Sequence, residues 1–188
     1  MKQIQKVSSY LLFIFNVLII AYPLFIIIQW IFIDSDIIKN LLAQGLLHHP
    51  VETPEGSIYL SAVNWTFTSK IIGFASQILC TLPLFLSFFV LKAIFRNYQK
   101  GEVFNTINAN HYKYLGWLMF FDALLAKPLS ETLMMLGVTF SNPAGHRYIT
   151  LTFGTPNIEV LFSGILVIVI SWVMVEASKL HNEQQFTI

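Results

Sequence analysis

Three ionisable side chains interrupt an otherwise apolar stretch of this sequence, and they are its best candidates for chemistry. They are Asp122, Lys127 and Glu131, and Pro128 stands directly after the lysine. An ionisable group inside a membrane span is costly, so such groups pair with one another or line a path for ions or protons. Pro128 predicts a kink that frees the carbonyl of Leu124, because proline lacks the N–H that would bond it.

Helical spacing bears on what these charges could do together. Lys127 and Glu131 are four residues apart and can touch on one face of an α-helix. Asp122 and Lys127 are five apart, or about 140° around an α-helix, which argues against a single polar stripe. One hypothesis is an ion or proton relay with Asp122 as its titrating group. The favoured hypothesis is structural, with Lys127 paired to Glu131 and Asp122 bonded to Ser76 or Gln77.

Composition indicates that these residues belong to a membrane protein. Of 188 residues 55% are hydrophobic and 11% are charged, whereas about a quarter of a soluble domain is charged. The 17 phenylalanines cannot all be buried in a small globule, and a lipid solvent removes that difficulty. The net charge of +1 and the lack of a basic tract argue against a nucleic-acid partner.

Four stretches are apolar over the roughly 20 residues that a helix needs to cross a hydrocarbon layer. They are residues 10–33, 71–95, 114–138 and 160–178. Pro23 is tolerated inside the first because neighbouring helices can satisfy the freed carbonyl. The sequence therefore predicts an all-α membrane protein, a four-transmembrane-helix bundle formed by one domain over residues 1–188.

The basic residues predict how the bundle is oriented, because cytoplasmic loops carry the excess of lysine and arginine. Three lie in the 34–70 and 139–159 loops, and seven lie on the other side, at the N-terminus, around the 96–113 loop and in the 179–188 tail. The seven are Lys2, Lys6, Lys92, Arg96, Lys100, Lys113 and Lys179. We expect both termini to be cytoplasmic and the protein to lie in the inner membrane.

The 34–70 loop contains signals for a small extracytoplasmic cap. Ser35 can cap a short amphipathic helix at its start. The shared apolar face of that helix would comprise Ile37, Ile38, Leu41 and Leu42. Residues 57–65 and 148–153 alternate apolar and polar side chains, which is typical of β-strands. A short helix and a pair of strands are therefore predicted as the cap.

Two short motifs of the chain resemble a known family. The first is Lys100-Gly101-Glu102-Val103-Phe104, and the second is the C-terminal Glu183-Gln184-Gln185-Phe186-Thr187-Ile188. Both resemble motifs of the bacterial four-helix membrane proteins grouped as domain of unknown function 2975. In that family a K-G-E-x-F-T turn joins the second and third helices, and the chain ends in an acidic tail. Asn105 here stands where Thr or Ser is usual.

The resemblance implies a topology and no activity, because the family has no established biochemical function. It singles out as motif residues Gly101, Glu102, Phe104, Glu183 and Thr187. Members are often encoded beside a small helix-turn-helix regulator, so the resemblance implies a membrane or cytoplasmic regulatory protein as partner. From the residues themselves, Gly101 permits a turn after the second span, and Asn105 or Thr106 can cap the next helix.

No cofactor or metal is predicted from the sequence. His48, His49 and His146 all fall on the outer side, but adjacent histidines point apart and no i, i+4 pair occurs. Phosphate-binding loops and nucleophile elbows are lacking. We expect a non-enzymatic accessory or regulatory protein within the lipid bilayer. The alternatives are a small ion or solute carrier or channel subunit acting as a homo-oligomer, and a membrane enzyme whose residues converge from separate segments.

Overall fold

The computed structural model describes residues 2–53, 56–143, 147 and 157–186, and most of these are helical. The helices are α1 (Lys2–Ile31), α2 (Asp36–Ala43), α3 (Phe67–Gln99), α4 (Thr106–Phe121), α5 (Lys127–Ser141) and α6 (Ile158–Phe186). The strands are β1 (Val51–Thr53) and β2 (Gly56–Ile58). A 3-10 turn covers Leu60–Ala62, and a π-helical turn over Asp122–Ala126 joins α4 to α5.

In the described residues, four helical stretches are long and apolar enough to cross a membrane, as predicted. They are α1, α3, the continuous stretch Thr106–Ser141, and α6 as far as Leu180. Each extends beyond its predicted span at one end or both. In α3 the uncharged part lies between Lys70 and Lys92 and is about 31 Å long at 1.5 Å per residue. The rest of α3 therefore extends beyond a hydrocarbon layer of about 30 Å.

The chain forms two compact units, which we describe separately. Unit one comprises Met1–Tyr22, Pro83–Leu124 and Thr155–Ile188, and unit two comprises Pro23–Leu82 and Leu125–Gly154. Three boundaries fall inside helical stretches, at Pro23, at Pro83 and within the π-helical turn. Each of these positions interrupts the regular ladder of α-helical hydrogen bonds. The division into units therefore coincides with breaks in the backbone pattern.

In unit one, α4 and α6 pack backbone against backbone at a pair of glycines. A Cβ atom placed on Gly116 would lie 2.9 Å from the carbonyl oxygen of Gly164 and 2.5 Å from Cγ1 of Ile168. A Cβ atom on Gly164 would lie 3.2 Å from the carbonyl oxygen of Gly116. Small residues allow membrane helices to approach this closely, and van der Waals contact along the two backbones then holds them together.

Aromatic rings join α1 to α3 within the same unit. The buried ring of Phe15 lies 5.7 Å from that of Phe95 and 6.5 Å from that of Phe88, between ring centroids. The ring of Tyr22 meets Phe88 edge to face at 5.9 Å. Such pairs add about 0.5–1.5 kcal/mol each beyond the area they bury. They supply part of the packing that α1 and α3 need in lipid.

In unit two, the short helix α2 forms where the capping signal predicts it. The hydroxyl of Ser35 accepts a hydrogen bond from the N–H of Ile38 at 3.4 Å, which confirms the cap. Leu42 is buried. Ile38 and Leu41 are half-buried, and Ile37 is 74% exposed. Burial within this apolar face therefore differs from residue to residue.

The strand predicted over residues 57–65 is largely wrong. Only Gly56–Ile58 is a strand, and it pairs antiparallel with Val51–Thr53 in a hairpin. Leu60–Ala62 is a 3-10 turn, whose geometry the indole of Trp65 supports by donating a hydrogen bond to the Leu60 carbonyl at 3.2 Å. The second predicted strand, 148–153, lies outside the described residues.

Gly116→Ala is expected to destabilise the protein. The added methyl group would collide with the Gly164 carbonyl, and overpacking of this kind costs about 1–3 kcal/mol. Alanine stabilises a helix over glycine by only about 0.5–1 kcal/mol. Thermal unfolding in detergent, followed by circular dichroism, should show a lower midpoint. Gly164→Ala has looser contacts and should lower the midpoint less. A Gly116→Ala midpoint equal to that of the wild type would contradict this packing.

Candidate functional site

The third membrane-length stretch changes its winding where the candidate charges lie. Asp122–Ala126 forms the π-helical turn, and Pro128 stands in the first turn of α5. A proline clashes with the carbonyl four residues earlier, here that of Leu124. A wider turn with i→i+5 hydrogen bonds gives that carbonyl room. The backbone thus adopts a π turn next to the proline where the sequence predicted a simple kink.

The π turn removes one argument about the charges. A regular α-helix would separate Asp122 and Lys127 by about 140°, but a turn that closes after five residues does not have that geometry. The regular-helix angle therefore does not apply to this pair. Lys127 is half-buried and Glu131 is exposed. The ion pairs within the described residues do not include one between Lys127 and Glu131.

The two side chains predicted to bond Asp122 are engaged elsewhere. The hydroxyl of Ser76 donates to the carbonyl oxygen of Ser130 at 2.6 Å, and both serines are buried. The amide of Gln77 uses its oxygen and its nitrogen in hydrogen bonds to two other side chains of unit two. Ser76 and Gln77 therefore link α3 to its neighbours within that unit.

A chain of polar side chains in unit two was missed by the sequence reasoning. The indole N–H of Trp30 donates to Oε1 of Gln77 at 2.5 Å, and Nε2 of Gln77 donates to Oε1 of Gln29 at 3.2 Å. Gln29 is buried, and the ring of Trp30 occupies the space that a side chain on Gly73 would need. Uncharged amides inside two apolar stretches were the available signal. Their partners are nearly 50 positions apart, so spacing could not pair them.

The turn that carries the first family motif closes the end of α3 with backbone hydrogen bonds. Gly101 follows α3 with φ of +88°, a left-handed conformation that favours glycine. Its N–H donates to the carbonyl of Tyr98 at 3.0 Å, and the N–H of Glu102 donates to that of Asn97 at 3.0 Å. This pair of bonds is a Schellman motif. The prediction that Gly101 permits the turn is confirmed.

The side chain of Asn108 joins this turn to α3 by hydrogen bonds. Its side chain is fully buried, and its Nδ2 donates to the carbonyls of Glu102 at 2.7 Å and Val103 at 3.0 Å. Its Oδ1 accepts a hydrogen bond from Nδ2 of Asn97 at 2.7 Å. Its backbone N–H donates to Oδ1 of Asn105, the N-cap of α4, at 2.7 Å. A buried amide with all its groups satisfied favours one geometry of the turn.

The same turn exposes three side chains, which we call the turn surface: Glu102, Phe104 and Ile107. Glu102 is exposed, Phe104 is 50% exposed and Ile107 is 60% exposed. They follow the uncharged part of α3, which ends at Lys92, by ten residues or more. They therefore lie beyond the hydrocarbon layer that this part of α3 spans. Exposed apolar side chains outside lipid are a feature of interaction surfaces.

The remaining predicted site residues are described only in part. Glu183 is exposed on α6, while Thr187 of the second motif lies outside the described residues, as does His146. Within the described part of the chain, no group of three His, Cys, Asp or Glu side chains lies close enough to hold a metal ion. The turn surface is the part of the family motifs whose geometry is best defined.

Four membrane-length helices and a hydrogen-bonded turn between the second and third are those of a multi-pass helical membrane protein. The chain belongs to the family described as "Protein of unknown function (DUF2975)", whose model matches residues 49–188. The resemblance seen in the two motifs is thereby confirmed. No curated protein and no solved structure matches the chain.

Asn108→Ala is expected to destabilise the turn and α4. The substitution leaves the Asn97 amide and two backbone carbonyls without their partner, and each buried unsatisfied group costs about 1–3 kcal/mol. Thermal unfolding in detergent should show a clearly lower midpoint, and limited proteolysis should cut faster near Val103. Asn110→Ala removes the same side chain from an exposed position of α4 and serves as control. Equal loss in both variants would contradict the role of Asn108.

Proposed function

We propose that this chain is a non-enzymatic accessory or regulatory protein of the bacterial inner membrane that binds a regulatory protein through its turn surface. One observation carries the proposal: a fully buried Asn108 holds the backbone, while Phe104 and Ile107 are exposed on it. A surface that is already ordered does not lose conformational entropy on binding, so such a surface binds more tightly. The Schellman motif and the Asn108 hydrogen bonds supply that order.

The distribution of basic residues supports a cytoplasmic position for the turn surface. The 96–113 loop that contains it belongs to the side with seven basic residues, against three on the other. Lysine and arginine accumulate in cytoplasmic loops of membrane proteins. In this orientation both termini are cytoplasmic as well, and α2 with the β-hairpin lies outside as a small cap.

The chemistry of the turn surface indicates what the partner must offer. Phe104 and Ile107 need an apolar pocket, and aromatic anchors of this kind dominate the affinity of many interfaces. Glu102 stands at the edge and needs a basic group opposite it, which would favour the correct orientation. The helix-turn-helix regulator implied by the family resemblance is the partner that we propose.

Benzoylphenylalanine, a photo-reactive residue, tests the proposal when it replaces Phe104. Irradiation of intact membranes should give an adduct with the regulator, identified by mass spectrometry. Glu102→Arg should lower its yield about fivefold, because a reversed charge at the rim disfavours the same partner. The same photo-reactive residue at Ile37, which is 74% exposed in unit two, should not give this adduct. Adducts with lipid or with a second copy alone would refute the proposal.

A second candidate function, a small ion or solute carrier or channel subunit acting as a homo-oligomer, is favoured by the π turn. Such turns inside α-helices are frequent at functional sites. This one begins at Asp122, an ionisable residue in a membrane-length stretch. Intramembrane carboxyl groups commonly mark ion or proton paths. The π turn therefore makes Asp122 the residue to test.

Liposomes containing the purified protein distinguish the two functions. Under our leading proposal, the wild type and Asp122→Asn should both show the proton and cation flux of protein-free liposomes, measured with entrapped dyes, because no conducting path is required. Glu131→Gln alters an exposed carboxyl group of the same stretch and is the matched control. Flux in the wild type that Asp122→Asn abolishes and Glu131→Gln retains would establish the carrier function instead.

A further inference from the structure

An open apolar groove runs along unit one between α3 and α4. Its volume is about 580 Å³, within the range of about 300–1,000 Å³ that small-molecule sites occupy. The side chains that line it are Leu86, Phe89 and Val90 from α3 and Tyr114, Trp117, Leu118 and Phe121 from α4. From Tyr114 to Phe121 the groove extends about 10 Å along the helix.

Basic side chains lie at one end of this groove. Lys113 is exposed and occupies the same helical face as Trp117, four residues later. Arg96 is also exposed and lies two helical turns beyond Phe89. The hydroxyl groups of Tyr98 and Tyr112 are 2.8 Å apart and set the register of the two helices. This register brings Arg96 and Lys113 to the same end of the groove.

The charges at that end are of one sign along both helices. The sequences of α3 and α4 contain no aspartate or glutamate, and Glu102 in the turn between them is the one acidic residue of residues 96–113. Within the described part of the chain, Arg96 and Lys113 are not members of an ion pair. An apolar groove with a cationic end complements a molecule that has a hydrocarbon chain and an anionic head.

We propose that this groove is a binding site for an anionic phospholipid. One acyl chain lies along the groove against Trp117 and Phe121, and the phosphate lies beside Arg96 and Lys113. The hydroxyl of Tyr114, at the boundary between the two, faces the glycerol region. A basic residue near an anionic lipid favours binding by roughly fivefold, so two such residues select an anionic lipid over a zwitterionic one. The site is distinct from the turn surface and does not depend on it.

Fluorescence of Trp117 tests the site directly. The protein is reconstituted in equimolar phosphatidylglycerol and phosphatidylcholine. In each preparation a fixed fraction of the acyl chains of one of the two lipids carries bromine, which quenches fluorescence at short range. Overall charge is then the same in both preparations. The fluorescence quenching of the wild type minus that of Trp117→Phe gives the quenching of Trp117 itself. The corresponding difference for Trp172→Phe reports bulk lipid, since Trp172 is 63% exposed on α6.

Brominated phosphatidylglycerol should quench Trp117 at least about twofold more than brominated phosphatidylcholine, whereas Trp172 should be quenched equally by both. Arg96→Gln combined with Lys113→Gln should abolish the preference. Lys179→Gln, which alters an exposed lysine paired with Glu176, should retain it. Equal quenching of Trp117 by the two lipids would overturn the proposal. A lack of quenching of Trp117 by either lipid would also overturn it, because a second copy would then cover the groove. A preference for phosphatidylglycerol that survives the double substitution would overturn it as well.

Discussion

Hydrocarbon cannot accept or donate a hydrogen bond, so each polar group within the membrane must find its partner in the protein. Several small hydroxyl side chains do so on their own helices. Ser8 donates to the Ile4 carbonyl at 2.7 Å and Ser171 to the Ile168 carbonyl at 2.6 Å, and both serines are buried. Bonded in this way, a serine takes little room and can lie between helices. Larger amides need partners on other helices, and these partnerships organise the two units.

Each unit has a buried amide, Asn108 in unit one and Gln29 in unit two. Asn108 connects α4 to the end of α3 in unit one, and Gln77 connects α3 to α1 through Gln29 and Trp30 in unit two. A buried amide tolerates few alternative arrangements, because any shift leaves a donor or acceptor unpaired. The helices that run through both units have a proline or a π turn at the boundary. Along the chain, segments held by amide hydrogen bonds thus alternate with positions where the α-helical hydrogen-bond ladder is interrupted.

Sequence patterns predicted those features that depend on neighbouring residues. Four apolar stretches, the caps at Ser35 and Asn105, and the glycine turn at Gly101 are all local signals, and the structure has each of them. The pairing of Trp30 with Gln77 joins distant positions and left no local trace. The alternation of apolar and polar side chains over residues 57–65 wrongly predicted a strand, because so short an alternating segment fits a 3-10 turn equally well. The π turn was missed because a proline can be accommodated by a kink or by wider winding, and the sequence does not distinguish them.

The π turn and its charges have a consequence for biosynthesis. A ribosome delivers the helices to the membrane in order, and Asp or Lys near the centre of a segment costs about 2.5–3.5 kcal/mol on insertion through the translocon. The stretch Thr106–Ser141 contains both, and 44% of its most apolar window is buried in the folded protein, against 6% for α1. Insertion of this stretch therefore carries a free-energy cost that the more apolar stretches do not. Gly116 of this stretch also packs against Gly164 of α6, which is synthesised later.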